Sequence, residues 1–385
     1  MVAYDSELIT PPPSAVAEQL LRRTGNSELL NHTYCIIMAG GRGERFWPLS
    51  ADSMPKPFLR ILGTKTMIQL TVERVNRLLP MERIFIVLGT SHADIAREQL
   101  PDLPVANFLV EPEGRDTAPC IGFAAIALLE LDPQAVMIVL PADHFIPDSD
   151  HFVETVSYGA EIAGRGDYLV TIGIKPGRPE TGYGYINAHE PVFSSDSGTC
   201  LRVERFVEKP DANRAQQYLE EGNYFWNAGM FIWKVKTVLA GIAQHMPDLY
   251  SGLLAIQEAL VARNEGCFAE IYSNLVRKSI DYGLMEKAEN VLMIPGEFTW
   301  DDVGTWSSLL RVKDLDENGN YCSGDNICLE TKNSVICSDG LKVGVIGVSN
   351  MVIVASKDGV LVCDADRAQE VREIARLVEA KKEKK

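Results

Sequence analysis

The chain has 385 residues, 46% hydrophobic and 23% charged, a composition that excludes a disordered or fibrous protein and allows two to three domains. Its 37 Lys and Arg against 53 Asp and Glu give a formal net charge of −16. A field of that sign repels nucleic acid and leaves any phosphate ligand to a local basic cluster.

Residues 1–33 read as an extension, broken by Pro11-Pro12-Pro13, with one short helix predicted over 15–30. Asp5, Glu7 and Glu18 interrupt any apolar segment there, and no run of about 18 apolar residues occurs anywhere. The expectation is a cytoplasmic protein with no signal peptide and no membrane span. The eight cysteines (Cys35, Cys120, Cys200, Cys267, Cys322, Cys328, Cys337 and Cys363) form no CxxC pair and read as buried reduced thiols.

From Tyr34 short apolar runs alternate with amphipathic ones. Strands are predicted over 34–38, 83–88, 107–110 and 135–140, with helices over 67–79, 91–100 and 117–131 between them. Asp116 or Thr117 can cap the last helix, and Pro119 suits its first turn. Continuous runs such as Val136-Met137-Ile138-Val139-Leu140 suit strands buried on both faces. The repetition predicts an α/β fold, its sheet mainly parallel and flanked by helices, over 34–315. Further strands are predicted over 168–174, 202–207, 230–235 and 291–294. Over 316–385 Asn-Gly and Asp-Gly turns punctuate short Val/Ile runs, which predicts a small β-rich unit closed by a charged helix.

The first strand runs into Ala39-Gly40-Gly41-Arg42-Gly43-Glu44-Arg45-Phe46-Trp47-Pro48. Glycines after a first parallel strand let backbone N–H groups approach phosphates. Phe46 stands where a dinucleotide fingerprint needs its third glycine, which argues against a dinucleotide-binding oxidoreductase. Arg42, Arg45, Lys56 and Arg60 supply local positive charge, and Pro55 and Pro57 stiffen the backbone about Lys56. Asp143 follows the most apolar strand, where ligands of open sheets sit, and can hold a hard cation or a ribose. Phe298-Thr299-Trp300-Asp301-Asp302-Val303-Gly304-Thr305 is a second acidic turn, in which Asp302 is either a metal ligand or the cap of a helix near Thr305. Gly182-Tyr183-Gly184, Glu208-Lys209-Pro210 and Asn227-Ala228-Gly229 offer close backbone approach, a carboxylate beside an ammonium, and an amide among aromatics.

In this order the segments resemble the nucleotidyltransferases that activate sugar phosphates, over roughly residues 34–312. Glu111-Pro112-Glu113-Gly114-Arg115-Asp116-Thr117-Ala118-Pro119 is similar to the mannose-1-phosphate guanylyltransferase branch, with Asp116 where those members commonly have Asn. The resemblance implies a Rossmann-like, GT-A-like catalytic domain and a left-handed β-helix-like module that helps form a homodimer. It implies GTP and mannose 1-phosphate as substrates, GDP-mannose as product and Mg²⁺ as cofactor. Arg45, Arg42 and Lys56 would carry the catalytic charge. Ala39, Gly40, Gly41, Gly43, Glu111, Arg115 and Thr117 would bind nucleotide. Tyr183, Gly184, Glu208, Lys209 and Asn227 would bind the sugar phosphate, with Asp143 and Asp302 on the metal. The resemblance also leaves open another base or sugar 1-phosphate, or a silent paralogue that binds GDP-mannose. No His-rich motif follows the catalytic match, so isomerase activity of the long bifunctional members is not expected.

Overall fold

The protein is described from a computed structural model covering residues 27–41, 43–51 and 54–382. The helix predicted over 15–30 lies almost wholly outside these residues, as does Arg42. The chain runs α1 (Ser27–Asn31), β1 (Thr33–Met38), α2 (Met67–Val75), β2 (Ile84–Gly89), α3 (Ala93–Gln99), β3 (Phe108–Glu111), α4 (Thr117–Leu131), β4 (Val136–Pro141) and α5 (Ser149–Arg165). It continues with β5 (Leu169–Ile174), β6 (Tyr185–Ser195), β7 (Gly198–Val207), α6 (Ala212–Glu221), β8 (Tyr224–Lys234), α7 (Val235–His245), α8 (Pro247–Val261), α9 (Glu265–Asn274) and β9 (Val291–Gly296).

These nine strands form one sheet in the order β3-β2-β1-β4-β8-β5-β9-β7-β6. The first four are mutually parallel. Beyond them β8 runs antiparallel to β4 and β5, and β7 runs antiparallel to β9 and β6, so the sheet is mixed. Successive β1 residues serve opposite faces: Cys35 and Ile37 join one apolar cluster, Tyr34 and Ile36 the other. That double burial is why β1 reads as a continuous apolar run rather than an alternating one. Asp116, not Thr117, caps α4, its side chain accepting from the Thr117 N–H at 2.7 Å. The helix is apolar on nearly every side because the sheet covers one face and α7 and α8 the other.

After α10 (Leu309–Val312) come β10 (Tyr321–Ser323), β11 (Asn326–Leu329), β12 (Val335–Ser338), β13 (Val343–Ile346), β14 (Met351–Ser356), β15 (Gly359–Asp364) and α11 (Val371–Lys382). β10, β12 and β14 stack in parallel, as do β11 and β13, which is the strand arrangement of successive β-helix coils. β15 folds back antiparallel on β14 and ends the stack.

This unit shares a core with the body that carries the nine-stranded sheet. Phe46, Leu59, Ile61, Met67, Val303, Trp306 and Leu309 pack with Val335, Val352, Val354, Leu361, Ala368 and Val371. Burying each large apolar side chain contributes about 1.5–3 kcal/mol, so the contact is strongly adhesive. Among the described residues no disulfide joins the cysteines, but only Cys35, Cys120, Cys200 and Cys337 are buried. The expectation of uniformly buried thiols fails at Cys267 on the partly exposed α9 and in the β-rich unit, whose small coils cannot enclose both faces; Cys322 is exposed there and its sulfur lies 3.7 Å from that of Cys328.

Candidate active site

The site forms where β1 and β4 end, beside the loop that follows β9. After β1 the chain turns through Gly41 and Gly43 into a 3-10 turn, Glu44–Phe46. Gly43 has φ +62°, and a Cβ there would lie 2.7 Å from the Lys56 backbone nitrogen, so no side chain fits. Phe46 is buried against Trp306, ring centroids 5.0 Å apart, which accounts for an aromatic where a dinucleotide loop has glycine.

Lys56 starts a second 3-10 turn after Pro55 and is only 6% exposed. Its Nζ donates to the Asp143 carbonyl at 3.0 Å and the Asp302 carbonyl at 2.6 Å, and pairs with Asp143 Oδ2 at 2.8 Å. One ammonium thus ties both acidic turns together with all three protons engaged. A pair of backbone hydrogen bonds between Phe145 and Asp301 joins the same turns. Burial alone would raise the Asp143 carboxyl, but Lys56 and His144 outweigh it and hold the group below its ordinary value. His144 accepts from Trp300 Nε1 at 3.1 Å, and burial pushes it down to about 4, so it is a neutral structural neighbour.

The two aspartates of the second turn part company. Asp301 takes a two-pronged ion pair from Arg311, at 2.9 and 3.2 Å, and accepts from the Val303 N–H. Asp302 faces the cavity, its Oδ1 accepting from Tyr183 Oη at 2.6 Å and the Gly304 N–H at 3.1 Å. Asp302 does not cap the helical turn that follows; Thr305 does, with a reciprocal bond to Ser308. Val303 between them has φ +48°, a conformation unfavourable to a β-branched residue. Gly43, Arg45, Lys56, Asp143 and Asp302 line one cavity of about 440 Å³. Arg45 contributes a buried Nε with no hydrogen-bond partner among the described residues.

A second cluster adjoins it through Tyr183. That ring packs edge-on against Trp226 and Trp300, and its hydroxyl is committed to Asp302, so Tyr183 orients a carboxylate. Glu208 and Asn227 pack on Gly184: a Cβ at position 184 would collide with Glu208 Oε2 and lie 3.3 Å from the Asn227 Cβ. Glu208 Oε1 pairs with Lys209 at 2.7 Å, while Oε2 is buried without a hydrogen-bond partner among the described residues. Asn227 Nδ2 donates to Asp281 at 2.8 Å. Sequence reasoning misses Asp281. It opens a π-helical turn, Asp281–Met285, and burial, with Glu208 nearby, pushes its carboxyl up to about 7.

Glu111, Arg115 and Thr117 do not line this cavity. Glu111 is buried and accepts from the Tyr272 hydroxyl. Arg115 pairs with Glu113 and reaches the Leu275 carbonyl, and the Thr117 hydroxyl accepts from the Ile280 N–H at 2.9 Å. Together they fasten the start of α4 to the segment that carries Asp281. Burial pushes the Glu111 carboxyl from 4.5 up to about 7, the Tyr272 hydrogen bond pulling the other way. The folded value exceeds the unfolded one, so its contribution to stability is full below pH 4.5 and is lost as pH rises through 7. Glu111→Gln should match wild type in thermal unfolding at pH 5 and exceed it at pH 8, by about 2 kcal/mol. A variant less stable than wild type at pH 8 would contradict the burial argument.

A family model described as Nucleotidyl transferase matches residues 34–319, and one described as MannoseP isomerase/GMP-like beta-helix domain matches residues 324–377. The chain is 40% identical over 345 residues to the mannose-1-phosphate guanylyltransferase of Klebsiella pneumoniae, covering 88% of this chain and 72% of that protein. It is 39% identical over 344 residues to the mannose-1-phosphate guanylyltransferase of Escherichia coli, with the same coverage. The crystal structure of mannose-1-phosphate geranyltransferase from Thermus thermophilus aligns with a TM-score of 0.79 at 37% identity, over 90% of this chain and 99% of that one.

Proposed function

We propose that this chain, which belongs to the nucleotidyl transferase family, is an enzyme that transfers GMP from GTP to α-D-mannose 1-phosphate, giving GDP-mannose and pyrophosphate. The observation that carries this reading is the convergence of Arg45, Lys56, Asp143 and Asp302 on one cavity, with the Glu208–Asn227–Asp281 cluster joined to it through Tyr183. Guanine and mannose as the specific base and sugar are supported by the names of the relatives.

A phosphate oxygen of the sugar phosphate attacks the α-phosphorus; the new P–O bond forms as the bond to the bridging oxygen breaks, and pyrophosphate leaves. No protein nucleophile is required, so the chain's own groups position and neutralise. Arg45 offers a planar guanidinium with an uncommitted Nε to the triphosphate. Lys56 keeps the two acidic turns in register and sets positive charge beneath them. Lys209 lies beside Glu208 for the sugar's phosphate, and the free Glu208 Oε2 suits a sugar hydroxyl.

Asp143 and Asp302 would hold Mg²⁺. Two carboxylates, each committing one oxygen to the protein, fit a cation that completes its shell with phosphate oxygens and water. When bound, the cation neutralises phosphate charge. A cytoplasmic homodimer belongs to the same reading, supported by exposed Ile327, Leu329 and Ile346 on β11 and β13. Among the described residues no helix is long and apolar enough to cross a membrane.

The test is pyrophosphate release from four nucleoside triphosphates against a panel of sugar 1-phosphates with Mg²⁺. GTP with mannose 1-phosphate should turn over fastest and yield GDP-mannose. Faster turnover of UTP with glucose 1-phosphate would overturn the base and sugar, and none with any pair would overturn the reaction.

A further inference from the structure

The charged helix at the end of the β-rich unit lies against the glycine-rich loop. Val371 and Ala375 on this helix, with Ala368 in the 3-10 turn before it, are buried and form the packing stripe on the body of the protein. Arg372 and Arg376 stand one residue beyond two of these positions, one helical turn apart, and so share an edge of the helix. Both line the cavity that holds Arg45, Lys56, Asp143 and Asp302. Arg376 Nε and Nη2 reach Glu44 Oε2 at 3.0 and 2.9 Å, and Glu44 is the residue before Arg45 in the loop's 3-10 turn. Among the described residues no carboxylate lies within ion-pair distance of Arg372. A second anchor supports the first: a Cβ on Gly359, the first residue of β15, would lie 2.7 Å from the Trp47 ring, so the loop and this unit meet at van der Waals contact.

We infer that α11 is part of the nucleotide site, with Arg372 taking the pyrophosphate end of the triphosphate and Arg376 positioning the glycine-rich loop through Glu44. This rests on the proposed nucleotidyl transfer. The chemistry is that of an anion: in a protein of net charge −16, a guanidinium with no carboxylate partner among the described residues, lining a cavity that already holds Arg45 and Lys56, is a phosphate ligand, and its fork can bridge two oxygens. The cavity would then carry cations at both ends of the scissile bond. Arg45 and Lys56 come from the catalytic body, and Arg372 from the second unit, where the leaving group departs.

Both arginines are exposed, so their glutamine variants retain the fold. Binding of inorganic pyrophosphate with Mg²⁺ is measured by calorimetry on wild type, Arg372→Gln, Arg372→Lys and Arg376→Gln, alongside steady-state kinetics in both directions. Arg372→Gln should weaken pyrophosphate binding about tenfold and raise KM for pyrophosphate and GTP to match, with KM for the sugar phosphate and Tm unchanged. Arg372→Lys should recover part of the loss. Arg376→Gln and Glu44→Gln should each lower kcat more than they raise KM for pyrophosphate, because they free the loop rather than remove a ligand. Unchanged pyrophosphate affinity in Arg372→Gln, or no pyrophosphate binding by wild type, overturns the inference. Pyrophosphate binding that depends on Arg372, in a protein that turns over no nucleotide with any sugar phosphate, overturns the proposed reaction and leaves the anion site standing.

Discussion

Lys56→Met should abolish measurable turnover and lower the melting temperature by several degrees. The side chain is nearly the same length, so the change removes charge and donors rather than volume. Two carbonyls and one carboxylate lose their shared partner, and the Asp143 carboxylate is left facing the Asp302 backbone without a counterion. Breaking such a pair at a largely enclosed position costs about 3 kcal/mol. The rate falls further because the acidic turns separate and a preorganised positive charge is gone, roughly 10²–10³ from the charge alone. Thermal unfolding and pyrophosphate release on the same preparation check both effects. Full activity with reduced stability would make Lys56 a strut and nothing more.

Asp302→Asn carries the second large effect, and there rate and stability should part. The amide oxygen still accepts from Tyr183 and from the Gly304 N–H, so the melting temperature should stay within a few degrees of wild type. The negative charge is lost, and with it the proposed hold on a divalent cation, so kcat should fall on the order of 10³. Tyr183→Phe keeps the carboxylate but removes one of its donors, and should cost only about tenfold. Near-normal kcat in Asp302→Asn would reject the ligand role, since the helical turn beyond it is capped by Thr305 and needs nothing from residue 302.

The readable parts of this sequence are those whose cause is local. β1, β2 and β4 announce themselves as uninterrupted apolar runs, because each is covered on both faces. The helix Thr117–Leu131 is bounded by its capping residue and its proline. Gly43, Arg45 and Asp143 are legible because glycine and charge follow closely on a strand end, and Lys56 because two prolines frame it. What escapes reading depends on partners distant in the chain. Glu111 reads as a nucleotide contact, yet the partner that buries it, Tyr272, is 161 positions away. Nothing in Ser279-Ile280-Asp281-Tyr282 marks Asp281 as buried; only the arrival of Asn227 and Glu208 does. The edge hairpin Tyr185–Val207 is half hidden, since β6 carries charge and proline toward solvent. Arg376 sits in a run of charges that reads as a solvated helix end, and only its ion pair with Glu44 gives it a place in the site.

The apolar seam between the glycine-rich loop and the β-rich unit has a consequence in time as well as in space. Residues 44–49 are made early, but Val335, Val352, Leu361 and Val371, which hold Phe46 and Trp306 in place, are made some three hundred residues later. At about 5–20 residues per second of synthesis, the loop waits roughly half a minute for the surface it rests on. Through that interval the nine-stranded sheet can assemble, yet the glycine-rich loop at its edge stays unsupported and the aromatic rings of Phe46 and Trp306 uncovered. The nascent chain therefore acquires its sheet before the glycine-rich loop acquires the apolar surface that supports it.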